Sequence, residues 1–216
     1  MNRVSFIVDG FNLYHSVREA AKDIESLGGL KVSTKWLNIK KLCSLYLPHI
    51  HGVVKEKTML GKIYYFSAFA YHIETYDPDV VNRHKKFIKC LEDTGVSVEI
   101  NRFKQKEINC NAERGCRKKF FKYEEKETDV AIAVKLLKIF FNDECDTVVI
   151  VTGDTDIAPA VTTSKRLFPT KNIIFAFPYK RKNKELSQLA PGSFKIKSEQ
   201  YVKNQFSDPI DYLMAT

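Results

Sequence analysis

Two apolar, β-branched runs that each stop at an aspartate constrain this chain more than any other feature. Arg3 to Val8 (Arg-Val-Ser-Phe-Ile-Val) leads into Asp9-Gly10, and Asp146 to Thr152 leads into Gly153-Asp154-Thr155-Asp156. Runs of this length and composition read as buried strands. Lys62 to Tyr71, Val96 to Phe103 and Asn172 to Phe177 supply further strands, and Phe194 to Lys197 a final edge element. Helical segments alternate with them: Asn12 to about Ser26, stopped by Gly28-Gly29; Pro78 to about Thr94, ended by Gly95; one from near Thr128; and about Ile157 to Phe168. A shorter helix, Asn38 to Tyr46, is expected to be broken by Pro48. In the helix from Thr128, Val130, Ala133, Val134, Leu137 and Phe141 recur at three- or four-residue spacing and read as its buried stripe. Strand-helix alternation of this kind implies an α/β fold: a central, mainly parallel sheet with right-handed crossovers and helices on both faces.

The 216 residues are expected to form a single domain over 1–216, with a core at about 3–178, a basic insertion at about 104–123 and a C-terminal extension at about 179–216. With 44% hydrophobic and 12% aromatic residues, the composition excludes a disordered or fibrous chain. No apolar stretch approaches the roughly 20 residues that cross a bilayer, so no membrane partner is expected. Asp9 interrupts the first apolar run too early for a secretory signal. Cys43, Cys90, Cys110, Cys116 and Cys145 are an odd, scattered set that suits reduced thiols, and the expected location is cytoplasmic. Cys110 and Cys116 stand close together, yet no second Cys pair or His lies near them, so they read as ordinary thiols in a loop.

In a doubly wound sheet, ligands bind beyond the C-terminal strand ends where the strand order reverses. Asp9, Asp154 and Asp156 sit at such ends, and Asp129 occupies the first turn of the preceding helix. Each has a structural use when taken singly. Asp9 suits a turn, Asp129 a helix N-terminus, and Asp154, Asp156 and Asn12 suit caps. If the Arg3 and Asp146 strands are neighbours, however, these carboxylates converge, and converging carboxylates repel unless protonated, hydrogen-bonded or neutralised by a cation. Oxygen-only ligands select hard ions, Mg²⁺ or Mn²⁺, which serve phosphoryl chemistry.

The net charge of +9 is localised. Residues 102–126 contribute +5 and residues 178–184 contribute +4, the whole excess, as an electrostatic footprint for a polyanion would. In the first segment, a basic loop or hairpin, Arg114, Arg117, Lys118, Lys119 and Lys122 interleave with Phe120, Phe121 and Tyr123. That composition suits a single-strand binding surface, and equally a solvated loop pinned to the core by Phe120-Phe121. Lys180, Arg181 and Lys182 read either as a guide for a nucleic-acid backbone or as a solubilising turn.

Three motifs in order carry a resemblance: Val8-Asp9-Gly10-Phe11-Asn12-Leu13-Tyr14, then Glu127-Thr128-Asp129-Val130-Ala131, then Val151-Thr152-Gly153-Asp154-Thr155-Asp156 with Pro159-Ala160-Val161. Together they resemble the signatures of NYN domains, PIN-like nucleases, and most closely the LabA-like branch. The resemblance implies a three-layer PIN-like (Rossmannoid) fold and a metal-dependent nuclease acting on RNA, single-stranded or structured, with one or two Mg²⁺ or Mn²⁺ ions. It implies that Asp9, Asp129, Asp154 and Asp156 bind metal, that Asn12 orients a ligand or water, and that Thr152 and Thr155 support the site by hydrogen bonds. The family often has Ser at the positions of Thr152 and Thr155, and Gly-Val where Glu127 and Thr128 stand here; Glu127 reads as a solvated charge. The alternative is a non-catalytic nucleic-acid-binding or regulatory module with a residual metal site. A metal-dependent phosphatase would leave the basic segments unexplained. Formation of a homodimer is left open.

Overall fold

The run after Met1 forms β1 (Asn2–Asp9) in the computed structural model, which describes residues 1–26, 34–109 and 119–207. It is followed by α1 (Gly10–Ser26), α2 (Ile39–Leu45), α3 (Leu47–Val54), β2 (Thr58–Ala68), α4 (Val80–Asp93) and β3 (Ser97–Asn109). The second half contains β4 (Lys119–Lys126), α5 (Thr128–Phe141), β5 (Thr147–Val151), α6 (Ala158–Leu167), β6 (Asn172–Phe177), α7 (Lys184–Leu189), β7 (Phe194–Lys195) and α8 (Ser198–Lys203). Short 3-10 turns stand at Tyr71–Ile73 and Thr155–Ile157.

The strands make one sheet in the order β4-β3-β2-β1-β5-β6-β7. All neighbours are parallel except β3 and β4, an antiparallel pair. From β1 the chain winds outward through β2 to β3, then returns to place β5 on the other side of β1. The strand order therefore reverses between β1 and β5, whose pairing runs from Val4 opposite Thr147 to Val8 opposite Val151.

Side chains alternate across the sheet and so assign the layers. Val4, Phe6 and Val8 of β1 join a core with Leu13 and Ala20 of α1, Ile39 and Leu42 of α2, Ile50 of α3, Ile88 and Leu91 of α4 and Tyr201 of α8. Ile7, between Phe6 and Val8, points into a second core with Ile132 and Leu136 of α5, Ile157, Val161 of α6 and Leu186 of α7. The fold is thus a three-layer α/β arrangement with helices on both faces of a mainly parallel sheet.

Several local expectations need correction. The helix expected over Asn38 to Tyr46 is α2, capped by those two residues, but Pro48 does more than interrupt it: it occupies the first turn of α3, where its missing N–H is no loss. The second strand starts earlier, at Thr58, because β1 pairs with Thr58, Met59 and Leu60 regardless of their side chains, and it stops at Ala68. Val130, Val134 and Phe141 are exposed; the buried stripe of α5 is Ile132, Leu136, Ile139 and Phe140. Both sets have helical spacing in a helix that is apolar nearly all round, so periodicity alone could not choose the face that meets the sheet. Gly28-Gly29, Cys110, Cys116, Arg114, Arg117 and Lys118 lie outside the described residues. Cys43 and Cys145 are buried free thiols, and among the described residues no helix is long and apolar enough to cross a membrane.

At the N-terminal edge of the sheet, Asp146 fastens three strands. Its Oδ2 accepts from the Arg3 backbone N–H at 2.9 Å and from Nε at 3.0 Å, and its Oδ1 accepts from Arg3 Nη2 at 2.9 Å and Lys171 Nζ at 3.3 Å. Its own N–H donates to the Arg3 carbonyl and its carbonyl accepts from Asn172 N–H, each at 2.9 Å. The hydrogen bonds from Arg3, above all, hold the Asp146 carboxyl well below the usual carboxylate range. A depressed folded-state pKa gives stability that is complete above the ordinary aspartate value of about 4 and fades as the pH falls below it. Asp146→Asn is therefore expected to lower stability at pH 7 by about 1 to 2 kcal/mol, because a charge-assisted network is lost. Urea unfolding at pH 7 and pH 3 checks this: the gap between variant and parent should shrink at the lower pH.

Candidate active site

Asp9 ends β1, and α1 begins at the next residue. That abrupt turn needs Gly10, since a Cβ there would stand 2.4 Å from the Phe66 carbonyl oxygen and 2.6 Å from the Tyr65 ring. Asp9 Oδ1 accepts the Asn12 N–H at 2.9 Å, and Oδ2 accepts the Thr152 hydroxyl at 2.8 Å across the β1/β5 junction. Thr152 Oγ1 in turn accepts the Asp154 N–H at 3.1 Å, and Asn12 Oδ1 accepts the Gly153 N–H at 3.1 Å. Asp154 caps the following 3-10 turn, accepting the Asp156 N–H at 3.1 Å. Gly153 is required by a close crossing: a Cβ would lie 2.2 Å from the Arg181 carbonyl oxygen.

Asp9, Asn12, Asp129 and Asp154 line one cleft of about 300 Å³ together with Phe11, Tyr123 and Glu125. Asp9 is 5% exposed, and burial, followed by the charges of Asp129 and Asp154, pushes its carboxyl up to about 6 against the opposing donors Asn12 and Thr152. Burial and the charges of Asp154 and Asp156 raise Asp129 as well. Glu125 is pushed up to about 7 by burial, with Asp9 and Asp129 adding to the shift, although the Thr128 hydroxyl donates to its Oε1 at 2.7 Å. Carboxylates that raise one another's proton affinity in a cleft are the signature of a site poised for a counter-charge.

Glu125 was missed in the sequence. The signal that finds it is the hairpin register, in which Phe103 stands opposite Glu125 and Gln105 opposite Tyr123, so Tyr123 and Glu125 share a face. Glu127, by contrast, adopts the left-handed conformation with φ 76° and pairs with Arg102 at the surface. Asp156 is exposed and lines a neighbouring shallow cleft with Thr155 and Glu185, apart from the Asp9 cleft. Among the described residues, Thr155 makes no side-chain bond to the carboxylates, whereas Thr152 joins Asp9 to Asp154. No three His, Cys, Asp or Glu side chains are near enough, among the described residues, to hold a metal ion in common. Asp9 is tied to Asn12 and Thr152, and Asp154 to its own turn.

The two basic segments fare differently. Lys180 Nζ pairs with Asp23 at 2.6 Å and Arg181 Nη2 with Glu19 at 3.2 Å, both on α1, while Lys182 is exposed. Lys119 and Lys122 lie on β4, exposed and paired with Glu107 and Glu124. Phe120 and Phe121 are exposed, so they do not pin the hairpin to the core.

A doubly wound, mainly parallel sheet with acids at its point of strand-order reversal defines a PIN-like α/β protein. The chain belongs to the NYN domain family, a PIN-like nuclease family, whose profile matches residues 3–197. It is similar to 6-hydroxy-3-succinoylpyridine 3-monooxygenase HspA of Pseudomonas putida, with 27% identity over 180 residues covering 74% of this chain and 54% of that protein. The chain thus spans about half the length of that curated relative. A crystal structure of a protein of unknown function from Vibrio parahaemolyticus matches with a TM-score of 0.53 at 15% identity, covering 91% of this chain and 93% of that one. That likeness concerns the fold alone.

The bridging hydroxyl gives a direct test of the junction. Thr152→Val removes the donor to Asp9 and leaves the Asp154 N–H without its acceptor, so it should destabilise the protein by about 1 to 3 kcal/mol. Thr152→Ser, which keeps the hydroxyl, should cost less than half of that in thermal or urea unfolding.

Proposed function

We propose that this protein is a metal-dependent nuclease that hydrolyses phosphodiester bonds, with RNA as its substrate. The observation that carries the reading is the convergence of Asp9, Asp129 and Asp154, with Glu125, on one cleft where the strand order reverses. The donor set is all oxygen, and each carboxylate oxygen of Asp9 that accepts a protein donor retains a second lone-pair direction. Such a set fits Mg²⁺ or Mn²⁺. Asp9, Asp129 and Asp154, which line the cleft, would hold the ion, with Asp156 of the neighbouring cleft as the fourth acid of the motifs, and once bound it would supply an activated water and charge neutralisation at the phosphate.

The chain's own residues contribute binding and order. Asn12 lines the cleft with its Oδ1 held by the Gly153 N–H, and its Nδ2 would serve a substrate oxygen as a neutral donor. Lys122 stands at the cleft wall and attracts the phosphate backbone. Thr152 and the Asn12 N–H keep Asp9 oriented and ionised against its burial. Glu125, whose proton affinity is raised into the neutral range, is placed to hold or release a proton in the cleft.

One observation favours a second reading, a nucleic-acid-binding module without turnover: among the described residues no three of the acids stand close enough to share an ion. Incubation of labelled single-stranded RNA with Mn²⁺ separates the two. Cutting by the parent protein should fall on the order of a hundredfold or more in Asp9→Asn and in Asp154→Asn, with salt-sensitive binding retained. Cutting that survives in both variants removes the mechanism, and binding without product in the parent favours the module.

A further inference from the structure

The cleft carries a feature that hydrolysis alone does not use. Phe11 of α1 and Tyr123 of β4 both line it, and they are 42% and 39% exposed. Neither ring is loose. Phe11 packs edge-on against Phe103 with centroids 6.1 Å apart, and Phe103 meets His72 at 4.7 Å. His72 then stacks on Tyr123 at 4.2 Å with an interplanar angle of 7°. Burial lowers the His72 pKa, which favours the neutral ring over the charged one. Four elements, α1, the Tyr71–Ile73 turn, β3 and β4, therefore meet to place two half-exposed rings beside the carboxylates. Two residues before Tyr123, on the same face of β4, Phe121 extends the row and is 61% exposed.

The two rings are held by contacts with Phe103 and His72, and each keeps part of its surface open to solvent within the cleft. Their surroundings indicate the occupant. Acids flank them on one side, while Lys122, exposed and paired with Glu124, lines the same cleft and Lys119, exposed and paired with Glu107, lies further along the strand. A molecule that alternates phosphates with flat π-faces matches that order, with its phosphates towards the cations and the acid cluster and its bases on the rings. In a duplex the base faces are covered by their neighbours and cannot reach such rings.

We propose that Phe11 and Tyr123, continued by Phe121, form a stacking platform for unpaired bases, so that the cleft selects single-stranded over duplex nucleic acid. The inference rests on the nucleic-acid part of the function proposed above and not on hydrolysis.

The test uses the full-length protein in EDTA with a single-stranded RNA carrying 2-aminopurine, whose fluorescence is quenched on stacking. The parent should quench the probe and bind it more tightly than the blunt duplex of the same sequence. Phe11→Ala and Tyr123→Ala should each weaken single-strand binding about five- to a hundredfold and remove quenching, leaving duplex binding unchanged. Phe11→Trp and Tyr123→Phe should retain both signals, which separates stacking from damage to the fold. An abasic residue in place of 2-aminopurine should weaken parent binding and add little to the loss in the Ala variants. Ala variants that quench and bind like the parent overturn the platform, as does equal affinity for duplex or a parent that never quenches. A parent that quenches in EDTA yet leaves RNA intact with Mn²⁺ supports the platform and removes hydrolysis alone; cutting without quenching removes the platform alone.

Discussion

The hydroxyl of Thr152 reaches Asp9 across 143 positions of sequence, and the site depends on that junction. It exists because β1 and β5 are parallel neighbours from which the chain departs in opposite directions. After β1, α1 leaves over one face of the sheet; after β5, the turn at Thr155–Ile157 leads into α6 over the other. The divergence opens a gap above the strand ends and exposes backbone N–H groups there. Asn12, Asp9, Thr152 and Asp154 fill it by satisfying those groups and one another. Burial favours the neutral form of Asp9, while the two donors favour the charged form, and the outcome is a carboxyl at about 6.

How much of this could be read beforehand follows from where each element's signal resides. β5 and β6 are buried on both faces, so their sequences are continuous apolar runs; the Asn172–Phe177 strand has the bounds that its sequence suggests. Asp9 and Asp154 were legible because they follow such runs directly. The signal failed where geometry depends on a partner. β2 begins with residues that are not buried, Thr58 to Lys62, because β1 supplies its hydrogen bonds. The face of α5 is chosen by the sheet, not by the helix, whose apolar residues nearly encircle it. Glu125 was invisible for the same reason: its place in the cleft is set by the register of β4 on β3, which lies in cross-strand pairing and in no local pattern.

Charge was the least transferable signal. The run at 178–184 looks like a free basic patch, yet Lys180 and Arg181 are paired with α1. There they hold the loop whose backbone passes so near Gly153 that no side chain fits. Those cations help to shape the site from behind. In the basic hairpin Lys119 and Lys122 are paired as well, with Glu107 and Glu124, but its strands are mostly solvent-facing and its rings are not absorbed by the core. A sequence count weighs the two segments nearly equally, and packing separates them.

The same fold does not bring the same chemistry. The Pseudomonas putida relative carries a monooxygenase name on a chain about twice the span shared here, and the Vibrio parahaemolyticus structure shares architecture at 15% identity. What distinguishes this chain must therefore lie in the side chains placed at the strand ends. Here those side chains are acids on one cleft, of which Asp9 and Asp154 are tied by their own hydrogen bonds. Like charges gather only when a counter-charge arrives, and until then each carboxylate is best stabilised by separate donors. Asp154 is the acid whose tie is most local, a single bond to the N–H two residues on within a short exposed turn. Asp9, by contrast, is locked by two elements. Asp9 therefore fixes the position of the site within the sheet, because its two donors come from α1 and from the residue that follows β5.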